Sequence, residues 1–233
     1  MLEKFINNAR EDSLTAAVFS HLFHLPSEMF WKEILCRACY TKNLPDDAGE
    51  PEEILPWSSW DAKETENSDR VIPDLFIRFA SFDLIIEAKR WDNDMQTPSQ
   101  WQNELIAYTN KYGKGKQVRL LALGGIRSEN DELLTSPVVC PVHMCRWSAV
   151  LLECQRLKKN LEEKKLDKET TPPSRTYADV RILNDLIAFF DAHGFPALQW
   201  FADFNFKSNL LSSSVDIDQQ YFRNISLQFQ SLL

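Results

Sequence analysis

The chain is expected to be an α/β protein, and three observations carry that expectation. Two runs rich in apolar, β-branched and aromatic residues, 71–79 and 82–89, are separated by two residues only. Segments with helical spacing lie on both sides of them. Further apolar runs at residues 117–126 and 138–147 have the length of strands. In chain order the elements are helix, strand, hairpin, helix, strand, strand.

The first helix is expected over residues 2–25, where Phe5, Ala9, Leu14, Ala17, Val18, Phe19 and Leu22 recur at helical spacing and Pro26 ends it. Residues 43–53, NLPDDAGEPEE, have the composition of an exposed acidic loop, and the first strand follows at 54–62, ILPWSSWDA. The hairpin turns at Ala80-Ser81 although it lacks Asn-Gly. Thr97 can cap the next helix, Pro98 fits its first position and Gln100 stands where a capping box wants Glu or Gln. Along that helix Gln100, Glu104 and Tyr108 form one polar stripe, while Trp101, Leu105 and Tyr112 form another. The run 117–126, QVRLLALGGI, suits a buried strand ending in a turn. An amphipathic helix follows at 148–165, with Val150, Leu151, Cys154, Leu157 and Leu161 inward. Residues 167–175, DKETTPPSR, resemble a linker, and a last helix over 177–193 stops at Gly194. Two parts result: residues 1–166, a core with its following helix, and residues 176–233, a C-terminal extension. The aromatics of 195–206 and the stretch 215–233 carry no motif; core packing is expected of those aromatics ahead of a dimer interface or base stacking.

The chemistry concentrates in residues 71–89, VIPDLFIRFASFDLIIEAK. In a strand Glu87 and Lys89 share a face and Ala88 points the other way. The apolar residues 84–86 run straight into that charged pair, so the charges are expected to end a buried strand. A buried charge is costly unless paired or bound to metal. Asp74 and Glu87 on neighbouring strands offer the hard oxygens that Mg²⁺ prefers, with the Ala88 carbonyl as a neutral third donor. Lys89 can then position or deprotonate a water, or hold a phosphate oxygen. The plainer alternative is a salt bridge at an exposed strand end, against which the buried run counts.

Pro73-Asp74 with Glu87-Ala88-Lys89 resembles the motif of the PD-(D/E)XK nuclease superfamily. The element order over residues 1–147 also resembles that superfamily's αβββαβ core. The resemblance implies a restriction-endonuclease-like mixed central sheet flanked by helices, with a C-terminal helical extension. It implies Mg²⁺-dependent hydrolysis of DNA phosphodiester bonds, with Mn²⁺ able to substitute. Asp74, Glu87 and Ala88 would bind metal, and Lys89 would orient the attacking water. The segment REDSLTAAVFSHL resembles the helix that often lends this superfamily another acidic ligand, which makes Glu11 the candidate, with Asp12 competing. QWQNELIAY resembles the Gln and Tyr pattern on the following helix, except that Glu104 stands four residues before Tyr108. Either Gln100 or Gln102 would fill the Gln role, and Gln100 is favoured, orienting Lys89 or the substrate backbone; its alternative is to cap its own helix. Lys89, Arg90 and Tyr108 are the expected substrate contacts, Tyr108 either supporting its helix or reaching phosphate. An endonuclease of bacterial antiphage defence or DNA processing is the implied role. The competing one is a catalytically idle subunit that binds or regulates within a larger complex.

At 233 residues and 44% hydrophobic content, the chain can bury a substantial core. No apolar run has the length to span a bilayer and the N-terminus lacks a secretory apolar segment, so a cytoplasmic protein without membrane attachment is expected. The five cysteines are expected to be buried reduced thiols, because Cys36 and Cys39 sit in WKEILCRACY, which has helical character. His21, His24, His143 and His193 form no metal-binding spacing. A formal net charge of −8 opposes a polyanion at long range. Lys89, Arg90, Lys111, Lys114, Lys116 and Arg119 are expected to gather positive charge near the site, with DNA contacts that depend strongly on salt. A partner subunit or a homodimer could help bring the substrate.

Overall fold

A computed structural model describes residues 11–67, 69–93, 95–166 and 174–195, apart from the side chains of residues 11, 12, 164–166 and 174. Its centre is a six-stranded sheet made by β1 (Glu53–Pro56), β4 (Leu75–Arg78), β5 (Phe82–Ala88), β6 (Gln117–Leu123), β7 (Glu132–Leu134) and β8 (Cys140–Cys145), and a two-stranded ribbon is made by β2 (Trp60–Asp61) and β3 (Arg70–Val71). The order across the sheet is β1-β4-β5-β6-β8-β7. β1, β4 and β5 are mutually antiparallel, β5, β6 and β8 are parallel, and β7 returns antiparallel on β8. The sheet is therefore mixed, as expected.

β5 is buried along all seven residues. It lies between β4 and β6 with a helical layer on each face, which is why residues 82–88 carry apolar side chains in both directions. One layer contains α1 (Glu11–Leu22), the π-helical α2 (Glu28–Leu35) with its short α-helical continuation Cys36–Ala38, α4 (Trp147–Leu166) and α5 (Ser174–Ala192). Leu14, Val18, Ile34, Val150, Cys154, Leu183 and Phe190 from these helices share a core with Leu84, Ile86 and Ala88 of β5. The other layer is α3 (Pro98–Tyr112), whose Trp101, Leu105 and Tyr108 pack with Phe76, Ile85, Leu120 and the ribbon residues Trp60 and Val71. α3 is the crossover that makes β5 and β6 parallel.

Several expectations hold in detail. The hairpin turns at Ala80-Ser81, with the Phe79 N–H donating to the Phe82 carbonyl at 3.0 Å. Val150, Leu151, Cys154, Leu157 and Leu161 of α4 are all buried, and Gly194 takes a φ of 91° after the last helix. All five cysteines are buried free thiols. Burial pushes the Cys36 and Cys140 thiols up to about 12.

Four boundaries differ. Residues 54–62 are not one strand: Trp57 adopts a φ of 48° after Pro56, which turns the chain and sends Trp60–Asp61 into the ribbon. Residues 71–79 break likewise at Pro73, which cannot donate to a ladder, so β3 and β4 belong to different sheets. Glu132–Leu134 is an extra edge strand that its short, polar surroundings concealed. The linker is shorter than expected at its C-terminal side, because Ser174 and Arg175 already belong to α5. Residues 1–10 of the expected first helix, 167–173 of the linker and 196–233 of the C-terminal extension lie outside the described residues. Of that extension, residues 177–192 pack through Val180, Leu183, Leu186 and Phe190 into the same core as α1 and α4. No described helix is long and apolar enough to cross a membrane.

Candidate active site

The register of the hairpin brings the first two site residues together. β4 and β5 pair Leu75 with Ile86, and one step further along the same antiparallel register sets Asp74 level with Glu87. Opposed residues of an antiparallel pair project to the same face, here the face covered by α3. Pro73 ends the ladder at this point, so Asp74 stands at the strand mouth. Its carboxylate Oδ2 accepts the Ala88 N–H at 2.7 Å, and its carbonyl accepts the Trp57 N–H at 3.2 Å. Asp74 is 8% exposed and Glu87 is 2% exposed.

Glu87 is the hub. Its Oε1 accepts from the Lys89 ammonium and from the Gln100 amide, each at 2.5 Å, and its main-chain carbonyl accepts the Gln96 amide at 2.9 Å. Gln96 is in turn held by the Trp101 indole N–H at 2.7 Å. Lys89 is fixed at the backbone as well: its N–H donates to the Leu123 carbonyl at 2.8 Å, and its carbonyl accepts the Trp147 indole N–H at 2.7 Å. The Arg90 guanidinium lies 4.8 Å from the centre of the Trp91 ring, within cation–π range.

The polar stripe on α3 is laid directly along β5. Gln100 reaches Glu87, Glu104 stands beside Glu87 in hydrogen-bonding contact, and the Tyr108 hydroxyl donates to Asp83 Oδ2 at 2.9 Å. Eight helical residues rise about 12 Å, and four strand residues span about 13 Å. The two spacings match, so one stripe serves both ends of the strand face that carries Asp83, Ile85, Glu87 and Lys89.

Desolvation pushes the Glu104 carboxyl well above the ordinary carboxylate range, the adjacent Glu87 and then Asp74 push it further, and Lys89 opposes them in part. Glu104 is 2% exposed, and its Oε2 is buried without a hydrogen-bond partner. With Gln100 it lines an open cleft of about 370 Å³, whose other walls include Glu66, Asn67, Ile72 and Asn103.

Of the expected site residues, Asp74, Glu87, Lys89 and Gln100 come together, and Ala88 contributes its N–H to Asp74. Gln100 does not cap its helix through its side chain; it turns to Glu87 instead, and Thr97 makes no side-chain cap hydrogen bond either. Of the two roles expected of Tyr108, the structure favours supporting its helix over contacting a phosphate. Tyr108 is 1% exposed, bonded to Asp83 and packed on Phe76, so it supports α3 and is too deep to reach a phosphate. Glu11 opens α1, in the layer opposite α3, and its side chain and that of Asp12 lie outside the described residues. Gln102 points to the Ser136 carbonyl, at 2.6 Å. The basic cluster is corrected in part: Lys116 pairs with Asp83 at 3.0 Å, and Arg119 contacts His143 at 3.2 Å and the Phe82 ring. Both are thus committed toward the opposite end of β5 from Glu87. Gln96 and Glu104 are site residues that the motif did not supply. The stripe was the available signal for Glu104; for Gln96, which precedes the helix, there was none.

Among the described residues no three His, Cys, Asp or Glu side chains form a group ready to hold a metal ion as they stand. The donor chemistry nevertheless fits a hard divalent cation: two carboxylates level with each other on adjacent strands, and a third buried carboxylate oxygen without a partner.

The geometry depends on close approach at Gly124. Its φ is 70°, and a Cβ there would fall inside the contact distance of the Lys89 carbonyl oxygen and 2.9 Å from Trp147 Cδ1. Gly124→Ala is therefore expected to destabilise the fold by about 2 kcal/mol or more through backbone strain and displacement of Lys89. Urea unfolding checks this, and an unchanged midpoint would contradict the packing described.

No family model and no solved structure matches the chain. An uncharacterized protein of Pasteurella multocida (strain Pm70) is 34% identical over 121 residues, which covers 51% of this chain and 43% of that protein. The chain thus aligns with less than half of that relative's length. What stands established is an α/β fold with a mixed six-stranded sheet, at whose centre two carboxylates, a lysine and two glutamines converge.

Proposed function

We propose that this protein is a metal-dependent nuclease that hydrolyses DNA phosphodiester bonds, acting as an endonuclease in bacterial defence or DNA processing. The observation that carries it is the level placement of Asp74 and Glu87 at the end of a buried hairpin, with Lys89 on the Glu87 face and on a Glu87 oxygen. A purely structural ion pair needs neither the second carboxylate nor the glutamine pair that braces Glu87.

Asp74, Glu87 and the Ala88 carbonyl would hold Mg²⁺, or Mn²⁺ in its place. Such an ion supplies Lewis-acid polarisation of the phosphate and lowers the pKa of a bound water. Lys89 orients the attacking water, its ammonium donating from Nζ. Gln100, donating to the same Glu87 oxygen, fixes the carboxylate on which that ammonium rests. Arg90 with Lys89 contacts the phosphate backbone. A homodimer would place two such sites for cutting both strands, and a partner subunit could supply the basic surface that Lys116 and Arg119 do not provide.

The test is incubation with supercoiled plasmid and with linear single-stranded DNA, in Mg²⁺, Mn²⁺ or chelator. Cutting is expected with either metal and not with chelator. Lys89→Met is expected to lower the rate by about 10²- to 10⁴-fold, the range of a positioned catalytic side chain. No cutting by folded protein under any condition would overturn the proposal in favour of an idle subunit of the same architecture.

A further inference from the structure

The donor that the sequence motif leaves out is Glu104. A carboxylate on the interior face of α3 is out of place unless something is there to meet it, since burying an ionisable group is costly without pairing. Glu104 is 2% exposed and its Oε2 has no hydrogen-bond partner. On Glu87, Lys89 and Gln100 share Oε1 and Gln96 takes the carbonyl, while Glu104 meets the Glu87 carboxyl and leaves its own Oε2 unmatched. A buried polar atom left without a partner calls for an explanation, and coordination to a bound cation supplies one. The position is not accidental either. Glu104 is one helical turn from Gln100 on the stripe that tracks β5, and together they line the cleft that opens to solvent between α3 and the ribbon.

We infer that Glu104 supplies a third carboxylate oxygen to the divalent cation held by Asp74 and Glu87, reaching it from α3. This rests on the nuclease reading only in requiring that a cation binds at Asp74 and Glu87. Three carboxylates from β4, β5 and α3 then enclose the ion on one face of the sheet, and the cleft beside Gln100 is its route of entry. Glu104 already stands in hydrogen-bonding contact with Glu87, so a cation held between them and Asp74 ties α3 to the hairpin. The departure from a Gln at this position thereby becomes a gain of one charged ligand.

The experiment is calorimetric titration of the full chain with Mn²⁺, paired with water-proton relaxation of the bound Mn²⁺. It compares the wild type with Asp74→Asn, Glu104→Gln and Glu104→Met. Met is close to Glu in volume and relieves a buried acid, so this variant is expected to fold, and circular dichroism verifies it. Both Glu104 variants are expected to weaken Mn²⁺ binding by about tenfold or more, and in Glu104→Met the bound ion is expected to gain one inner-sphere water. A Kd in Glu104→Met within twofold of the wild type would overturn the inference while the Asp74→Asn loss keeps the metal site. Weaker binding with unchanged relaxation would also overturn it, because Glu104 would then act through its charge alone. Absence of Mn²⁺ binding in the wild type would overturn both this inference and the metal-dependent reading.

Discussion

Asp74→Asn is expected to abolish cleavage while leaving the fold intact, and Glu87→Gln to do the same. The Asn side chain keeps an oxygen where Asp74 Oδ2 accepts the Ala88 N–H, so the strand mouth is retained and only the charge is lost. Gln at position 87 likewise keeps an acceptor for Lys89 and Gln100. In the proposed reaction, losing either carboxylate would remove electrostatic stabilisation at the phosphate, for which a fall on the order of 10³-fold is expected. Truncation to Ala is a different experiment. Asp74→Ala leaves a buried N–H unmatched, and Glu87→Ala leaves an ammonium and an amide without their acceptor, at about 1–3 kcal/mol for each unmatched group. The Ala variants should therefore lose cleavage and some stability together. Plasmid cleavage beside urea unfolding separates the two effects, and undiminished cleavage in Asp74→Asn would refute the assignment of Asp74.

The second large effect is on stability and lies at the opposite end of β5. Asp83 is fully buried and receives four donors: Arg78 Nε at 3.2 Å and Nη2 at 3.1 Å, Lys116 Nζ at 3.0 Å and the Tyr108 hydroxyl at 2.9 Å. The Asp83 carboxylate, through its hydrogen bond, holds the Arg78 guanidinium above its ordinary range, and burial opposes this. Lys116 also donates to the Phe79 carbonyl, so the cluster ties β4, β5 and the turn before β6. Asp83→Ala strands two cations and a buried hydroxyl, and removing one partner of a buried pair costs about 3–5 kcal/mol. Tyr108→Phe removes one donor and should cost about 1 kcal/mol. Chemical denaturation of both variants checks the ranking; a loss below 1 kcal/mol in Asp83→Ala would mean that the cluster is not the anchor described.

Much of the site was legible because its members are close in sequence. Glu87 and Lys89 share a face through the two-residue period of a strand, and the two-residue turn at Ala80-Ser81 sets the register that carries Asp74 to Glu87. The helical stripe of Gln100, Glu104 and Tyr108 was legible for the same reason. Its partners were not. Whether Tyr108 meets a phosphate or Asp83 depends on where α3 lies along β5, and no local pattern encodes that placement. Lys116 and Arg119 illustrate the same limit: near the site in sequence, they lie toward the far end of a parallel strand pair, since the crossover returns the chain to the start of β6.

By itself, then, the sequence determined the α/β class, the hairpin, the strand-end charges and the spacing of the helix stripe, all consequences of short-range periodicity. Only the tertiary structure decided which carboxylates face one another, which polar groups brace Glu87, that Gln96 and Glu104 join them, and that Asp83 claims Tyr108 and Lys116. Those pairings arise between elements distant in the chain, where burial forces each polar group to find a partner that packing, rather than sequence neighbourhood, supplies.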